Sequence, residues 1–464
     1  MNSNNQSSLI GSSMPDFFRR NRMILVFSLL AVFFFIVSGD GADTIARDIS
    51  IRFFRNLLLV LSLIFPIMAG IGLNFGIVLG AMSAQISLIV VIASGLDKIG
   101  VGYHFWVMFT VVFSIVSGYL LALLYNKTKK QEMIAGLLVG FFANGIYMFI
   151  LMVILGTIIK LSDPALVAMY GAPIKMTVEV PRNMYAAVDN AFPVSYYYVF
   201  IIAYIALMVF LVFTLIKNIR GRKNEILRGN QSGIEDFPMP PHTHKRKCST
   251  GKVLNPKTTS LVKIISTTVK IALVSIAFVF GMLNNTVLVI LVKTNMPFLT
   301  CIIGVVFILF VWRIMRSKLG HDFLAVQNDI GIAEAAGINV DRIRMIAIAL
   351  STTMAGLGQI IFLQNLGSFI VYQTHVTIPT FTIAALLLGG ATVKYASIKN
   401  AVIGNVLFQA IYSSAPNAAK TLLGNPQIGE YFRTSLSYGA IAVAIVLYAM
   451  NETKNANLIL KKTT

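Results

Sequence analysis

Carboxylates are scarce in this chain and unevenly spread. None lies between Asp341 and Glu430, and none between Asp236 and Asp322, where the residues are mostly apolar from Ile264 onward. An ionised side chain at a bilayer centre costs about 2.5–3.5 kcal/mol, and long acid-free apolar blocks avoid that cost. Charged residues make up 12% of the sequence and mean hydropathy is +0.78, whereas soluble domains carry about 25% charged residues. A water-soluble globular class is thereby excluded. There are two cysteines, Cys248 in a basic stretch and Cys301 in an apolar run, which excludes a disulfide framework. A phosphate-binding loop is also missing: Gly251-Lys252 has Arg246 where the upstream glycine belongs and Val253 where Ser or Thr belongs. No Asp or Glu stands at the centre of an apolar segment, which argues against proton-coupled transport. His104, His321 and His375 lie far apart at segment edges or in loops and read as interfacial side chains rather than metal or catalytic ligands.

What is present is a series of apolar windows. Roughly 20 apolar residues are needed to cross the hydrocarbon core. Windows of about that length fall near 23–38, 57–79, 80–96, 105–125, 133–158, 196–216, 264–293, 297–315, 344–363, 377–393, 398–415 and 433–450. Glycine and alanine interrupt the runs 57–96 and 377–415, so about ten to twelve segments are expected. The net charge of +20 is read through the positive-inside rule rather than as nucleic-acid binding. Arg19, Arg20 and Arg22, then Lys127, Lys129 and Lys130, then Lys217, Arg220, Arg222 and Lys223, and finally Lys461 and Lys462 can share one side. The expected fold is therefore an all-α polytopic integral membrane protein with both termini cytoplasmic. The first segment has the layout of a secretory signal, but reads as a retained anchor.

This divides the chain into a cytoplasmic segment 1–22, a first half of the bundle 23–216 with an external loop 159–195, and a basic cytoplasmic linker 217–263. A second half 264–450 with a cytoplasmic loop 316–343 and a cytoplasmic tail 451–464 complete it. The linker holds eleven Lys or Arg, Pro238 to Pro241, His242 and His244. It reads as a solvated basic connector touching anionic lipid rather than a metal site.

Inside the segments the polar residues are mostly amides. Gly72, Gly76, Gly80 and Ala84 recur every four positions, as on one helix face open to close packing. Asn74 and Gln85 lie on the same run. A buried primary amide without a partner in lipid costs several kcal/mol, so Asn74, Gln85, Asn144 and Gln359 are candidates for a polar pathway as well as for helix packing. Asn284, Asn285, Gln364, Asn365 and Gln373 extend the set. Neutral hydrogen-bonding groups beside aromatics suit a polar, uncharged solute.

The loop from Arg316 to Arg344 is the most distinctive segment. Gly337 can end a short helix, Asn339 can cap the next, and Arg342 and Arg344 can anchor it at the inner surface. A plain solvated connector is the alternative to a surface shaped to receive a push from a partner. The run LGHDFLAVQNDIGIAEAAGINVDRIRMIAIALSTTMAGLGQII resembles the cytoplasmic loop and following helix of ATP-binding-cassette importer permeases of the simple-sugar and branched-chain amino acid type. The resemblance is carried by Ala325-Val326, Asn328, Glu334 to Ala336, Gly337 to Val340, Arg342, and Ala355-Gly356 with Gly358. Leu388-Gly389-Gly390-Ala391 adds a Leu-Gly-Gly turn, and Gly72 to Gly80 falls where a first glycine-rich broken helix would be. Gln131-Glu132 with Gly136 and Gly140 extends the likeness more loosely. Gln327 and Gln359 depart from the usual pattern, as does the length of the linker and external loop.

The resemblance implies a transport subunit rather than an enzyme. It implies no cofactor in this chain, with ATP and magnesium bound by a separate ATPase subunit that contacts Asn328, Glu334, Gly337, Asn339 and Arg342. It further implies a second permease chain, an extracytoplasmic substrate-binding protein, a bacterial inner-membrane location and alternating access for a simple sugar or nucleoside. Branched-chain amino acid transport, an ion-coupled or facilitative carrier, and a membrane enzyme or structural protein remain the alternatives at the level of sequence.

Overall fold

The computed structural model describes residues 22–442, except 129–130, 156–157, 162, 168, 170–172, 186–192, 232–255, 285–287, 289–291 and 293–294, together with Val446. The expectations for residues 1–21, Asn285, Pro238 to Pro241, His242, His244, Cys248 and the tail 451–464 lie outside the described residues.

The elements are helical. They are α1 Arg22–Ser38, α2 Ala42–Ser62, α3 Ile64–Met68, α4 Ile77–Ala93, α5 Gly102–Lys127, α6 Glu132–Phe149, α7 Arg182–Tyr185, α8 Tyr196–Gln231, α9 Pro256–Leu283, α10 Phe298–Met315, α11 Lys318–Asn328, α12 Ile330–Ala335, α13 Val340–Leu366, α14 Thr377–Leu388 and α15 Ile398–Leu423. Helical backbone resumes over 426–442. Among the described residues, seven helical segments are long and apolar enough to cross a membrane, and Ile24–Ser38, Ile77–Ala93 and Thr377–Leu388 are shorter apolar helices. The protein is an all-α polytopic membrane protein.

Packing groups the chain into two units, one of Met1–Pro193 with Met296–Thr464 and one of Val194–Asn295. In the second, α8 and α9 lie together through Tyr204 stacked on Phe278 at 3.8 Å and an Asn218 to Thr267 side-chain hydrogen bond of 3.2 Å.

In the first unit α13 is central. It packs against α2, α4 and α5, and the approach depends on missing side chains. A Cβ on Gly80 would strike the carbonyl oxygen of Thr352, one on Gly118 the Thr352 hydroxyl, and one on Gly356 the Ser114 hydroxyl. The Thr352 hydroxyl donates at 3.0 Å to the carbonyl of Ser114 across the interface. In a bilayer, where lipid competes equally for apolar side chains, such close packing and interhelical hydrogen bonds are what hold helices together.

Helix α2 begins at Ala42, well before the apolar window at 57. Asp48 and Arg52 pair at 3.9 Å with i,i+4 spacing and support a charged first half, which leads into the fully buried Leu57 to Leu61. The glycine spacing at 72, 76, 80 and 84 is not a single helix face. Gly70 and Gly72 have φ of +74° and +87°, outside any right-handed helix. The chain breaks between Met68 and Ile77, Gly76 caps α4, and only Gly80 and Ala84 lie within that helix. A second break follows α14 at Gly389-Gly390, where Gly390 has φ +83°.

Two ends of this unit can be told apart. Asn126, at the close of α5, donates to the carbonyl of Asp341 at 3.1 Å, and Gln327 donates to the carbonyls of Ile67 and Lys394. Thus the loop after α10, the first helix break and the turn after α14 share one end. At the start of α5 the opposite end carries Lys98 bonded to Asp163 at 3.1 Å. There Gln364 donates to the carbonyl of Met184 at 2.7 Å, and the strands Thr177–Glu179 and Ser368–Ile370 pair antiparallel. Residues 159–185 and 316–343 therefore lie at opposite ends of α5 and α13.

Candidate transport site and coupling surface

The end that carries residues 316–343 presents a compact hairpin. Asp329 caps α12 by accepting the Ile332 N–H at 3.0 Å, and Asn339 caps α13 by accepting the Arg342 N–H at 2.9 Å. Between them Gly337 takes φ +81°. Its N–H donates to Glu334 at 2.9 Å and that of Ile338 to Ala333 at 3.0 Å, closing α12 with a left-handed glycine turn. Asn328, Glu334, Gly337, Asn339 and Arg342 are all exposed, as is Ile332 at 70%. The hairpin is thus a capped projection with apolar and charged side chains exposed.

Arg344 behaves differently from its neighbour Arg342. Instead of anchoring at the surface it is buried and paired with the buried carboxylate of Glu132 at the start of α6. The other guanidinium nitrogens, Nε and Nη1, have no hydrogen-bond partner among the described residues.

The four candidate amides separate into three places. Gln85 and Asn144 are brought together by His375: its Nδ1 lies 2.8 Å from Gln85 Oε1 and its Nε2 lies 2.8 Å from Asn144 Oδ1. Tyr147 also donates to Gln85 Oε1 at 3.1 Å. His375, expected at an interface, is instead fully buried, because the turn between α13 and α14 folds back into the bundle. His104 and His321 are exposed. Asn74 stands apart, accepting from the Tyr125 hydroxyl at 2.8 Å and donating to Ser351 at 3.3 Å. Gln359 is buried with neither amide atom hydrogen-bonded among the described residues, a cost of about 1–3 kcal/mol per group. Gln373 is exposed.

None of these four amides lines the polar cavity of about 170 Å³ that opens among α2, α13, α14, α15 and the 426–442 helix. That cavity is walled by Arg55, Phe362, Phe381, Phe408, Tyr412 and Arg433, with hydroxyls of Thr377 and Ser437. Sequence reasoning missed its two arginines. Arg55 could have been found from the i, i+4, i+7 spacing of Asp48, Arg52 and Arg55, which marks one helix face.

Comparison with known proteins bears on the same surfaces. Residues 249–451 match the family described as branched-chain amino acid transport system / permease component. The autoinducer 2 import system permease protein LsrC of Shigella flexneri is 33% identical over 96 residues, 21% of this chain and 27% of the relative. LsrC of Klebsiella pneumoniae subsp. pneumoniae is 35% identical over 79 residues, 17% of this chain and 23% of the relative. LsrC of Enterobacter sp. (strain 638) is 34% identical over 79 residues, with the same two shares. The chain spans about a quarter of the length of the curated relatives it matches. No solved structure matches.

Proposed function

We propose that this chain is the membrane-spanning permease subunit of an ATP-binding-cassette importer that moves a simple sugar or similar small polar solute across the bacterial inner membrane. The observation that carries the reading is positional: the family match over 249–451 includes the capped hairpin of α11, α12 and the Gly337 turn, which projects from one end of the bundle. On this reading the hairpin seats in a separate ATPase subunit, with Asn328, Glu334, Gly337, Asn339 and Arg342 at the contact. ATP and magnesium are held by that subunit, and this chain needs no cofactor of its own. A second permease chain completes the pathway, and an extracytoplasmic binding protein docks at the end carrying residues 159–185. The cytoplasm lies at the hairpin end.

The motion is alternating access. Closure of the ATPase moves the hairpin, and the first turn of α13 transmits the movement because the Ile338 N–H bond to Ala333 ties its start to α12 and the Asn126 bond to the Asp341 carbonyl ties it to α5. The description of the matching family favours a second cargo, a branched-chain amino acid, which uptake of leucine against uptake of ribose separates.

The test is purification from native membrane with identification of bound subunits, followed by uptake in vesicles. An ATPase subunit should co-purify and uptake should require ATP. Gly337→Pro, which can take neither φ +81° nor donate to Glu334, should insert normally yet lose substrate-stimulated ATP hydrolysis. Uptake that follows an ion gradient and ignores ATP would overturn the proposal.

A further inference from the structure

The cavity among α2, α13, α14 and α15 carries cationic groups beside its neutral hydrogen-bonding ones. Two guanidinium groups reach its wall, each backed by an aromatic ring: Arg55 sits 4.7 Å over the ring of Phe362, and Arg433 sits 3.8 Å over that of Tyr412. Arg55 is only 7% exposed, although it lies in a helix long enough to cross the membrane. It donates to Asn365 at 3.0 Å, so its plane is fixed from two sides. A charged residue within a membrane segment is expensive, and where it faces a cavity it marks a solute path. Glu430 pairs with Arg433, but no carboxylate is among the described residues lining the cavity.

The rest of the wall fits a ring. Phe362, Phe381 and Phe408 form a series of nearly parallel rings along the wall, with centroids 5.9 Å and 6.5 Å apart at 19° and 24°. The volume of about 170 Å³ corresponds to about six waters at their liquid volume, the size of one small ring with substituents. Threonine and serine hydroxyls supply neutral hydrogen bonds. Arginine is the side chain whose planar fork matches carboxylate and phosphate geometry.

We infer that this cavity is a binding site for a single sugar-sized ring bearing a phosphate group, the anion held between Arg55 and Arg433 and the ring lying against Phe362 and Phe381. The cavity lies towards the end at which Gln364 meets Met184, since Phe362 in its wall is two residues from Gln364, and that is the side from which the importer reading has substrate delivered. The inference rests on that reading for its meaning as a transport site, but binding itself does not require the ATPase.

The test is ligand binding to the purified full-length chain in lipid nanodiscs, read as thermal stabilisation, with ribose, ribose 5-phosphate and inorganic phosphate as probes. Ribose 5-phosphate should stabilise the protein at a concentration where ribose and inorganic phosphate do not. Arg433→Gln should weaken this at least about tenfold, Arg433→Lys should restore part of it, and Glu430→Gln, which frees Arg433 without altering the wall, should tighten it. Equal binding of ribose, equal binding of inorganic phosphate, no binding of any probe, or unchanged binding in Arg433→Gln would each overturn the inference. Those results leave the importer reading intact if an ATPase subunit co-purifies, whereas its absence with selective ribose 5-phosphate binding would overturn the importer reading and leave the site.

Discussion

His375 and Asn144, separated by 231 positions, meet inside the bundle with Nε2 2.8 Å from Oδ1. The same imidazole reaches Gln85 through its other nitrogen, so one ring connects α4, α6 and the turn before α14. A neutral imidazole donates from one nitrogen and accepts at the other, and the flanking amides turn to suit whichever arrangement holds.

Replacing that ring tests whether the connection holds the helices together. His375→Leu is expected to lower stability by about 1–3 kcal/mol, since the side-chain amides of Gln85 and Asn144 each lose the imidazole as a buried partner. His375→Gln should recover part of the loss. Unfolding temperatures of the purified proteins decide it, and an unchanged value for His375→Leu would mean that the contact contributes nothing net.

The Glu132 and Arg344 pair should respond asymmetrically. Glu132→Leu alone leaves a buried guanidinium uncompensated and is expected to cost about 3–5 kcal/mol, whereas Glu132→Leu with Arg344→Met removes both charges and should recover most of it. Denaturation of the single and double variants in detergent gives both numbers. Additive losses would show that the two side chains do not depend on one another.

Glycines in similar helices should differ by position. Gly80→Ala places a methyl against the Thr352 carbonyl and Ala355 and is expected to destabilise by about 1–3 kcal/mol. Gly145→Ala meets nothing within 4 Å and should gain up to about 1 kcal/mol from helix propensity. Expression level and unfolding temperature separate the two, and equal behaviour would contradict the close α4–α13 approach.

The end with residues 159–185 carries a pH-sensitive anchor. The Ala165 N–H donating to Asp163 at 2.9 Å, reinforced by Lys98, holds the Asp163 carboxyl below its usual value, while Lys98 is held above its own. A carboxyl with a depressed folded pKa contributes stability above its unfolded pKa of about 3.9 and loses it as pH falls further. Amide exchange at Leu166 and Val167, whose N–H groups bond to the Asp163 carbonyl, should therefore stay protected near neutrality. Relative to the rest of the chain, it should lose protection selectively below about pH 4. Asp163→Asn should remove the acid step, and persistence of that step in the variant would assign it elsewhere.

How much of this was legible depended on the range of the interaction. The caps at Gly337 and Asn339 are local, decided within a few residues, and residue type alone announces them. The helix breaks were visible as glycine, but not the side on which they fell, because Gly72 and Gly80 have the same spacing whether or not the chain between them is helical. His375 could not be placed from its neighbours, since its partners come from α4 and α6. Arg55 was hidden by a different rule. A search for uninterrupted apolar runs assumes lipid on every side, whereas α2 buries Arg55 against protein and the ring of Phe362.

The joint between α5 and α13 has a mechanical consequence. Thr352, Gly118 and Gly356 interlock near the middle of both helices, and the Asn126 to Asp341 hydrogen bond fastens them at one end. Fastened at two levels, the helices cannot slide past one another and must turn as a single beam. At 26 residues and 1.5 Å per residue, α5 alone is about 39 Å long. A tilt of a few degrees imposed beside Asn339 is therefore carried along the whole beam and displaces the Lys98 end sideways by about 2–3 Å.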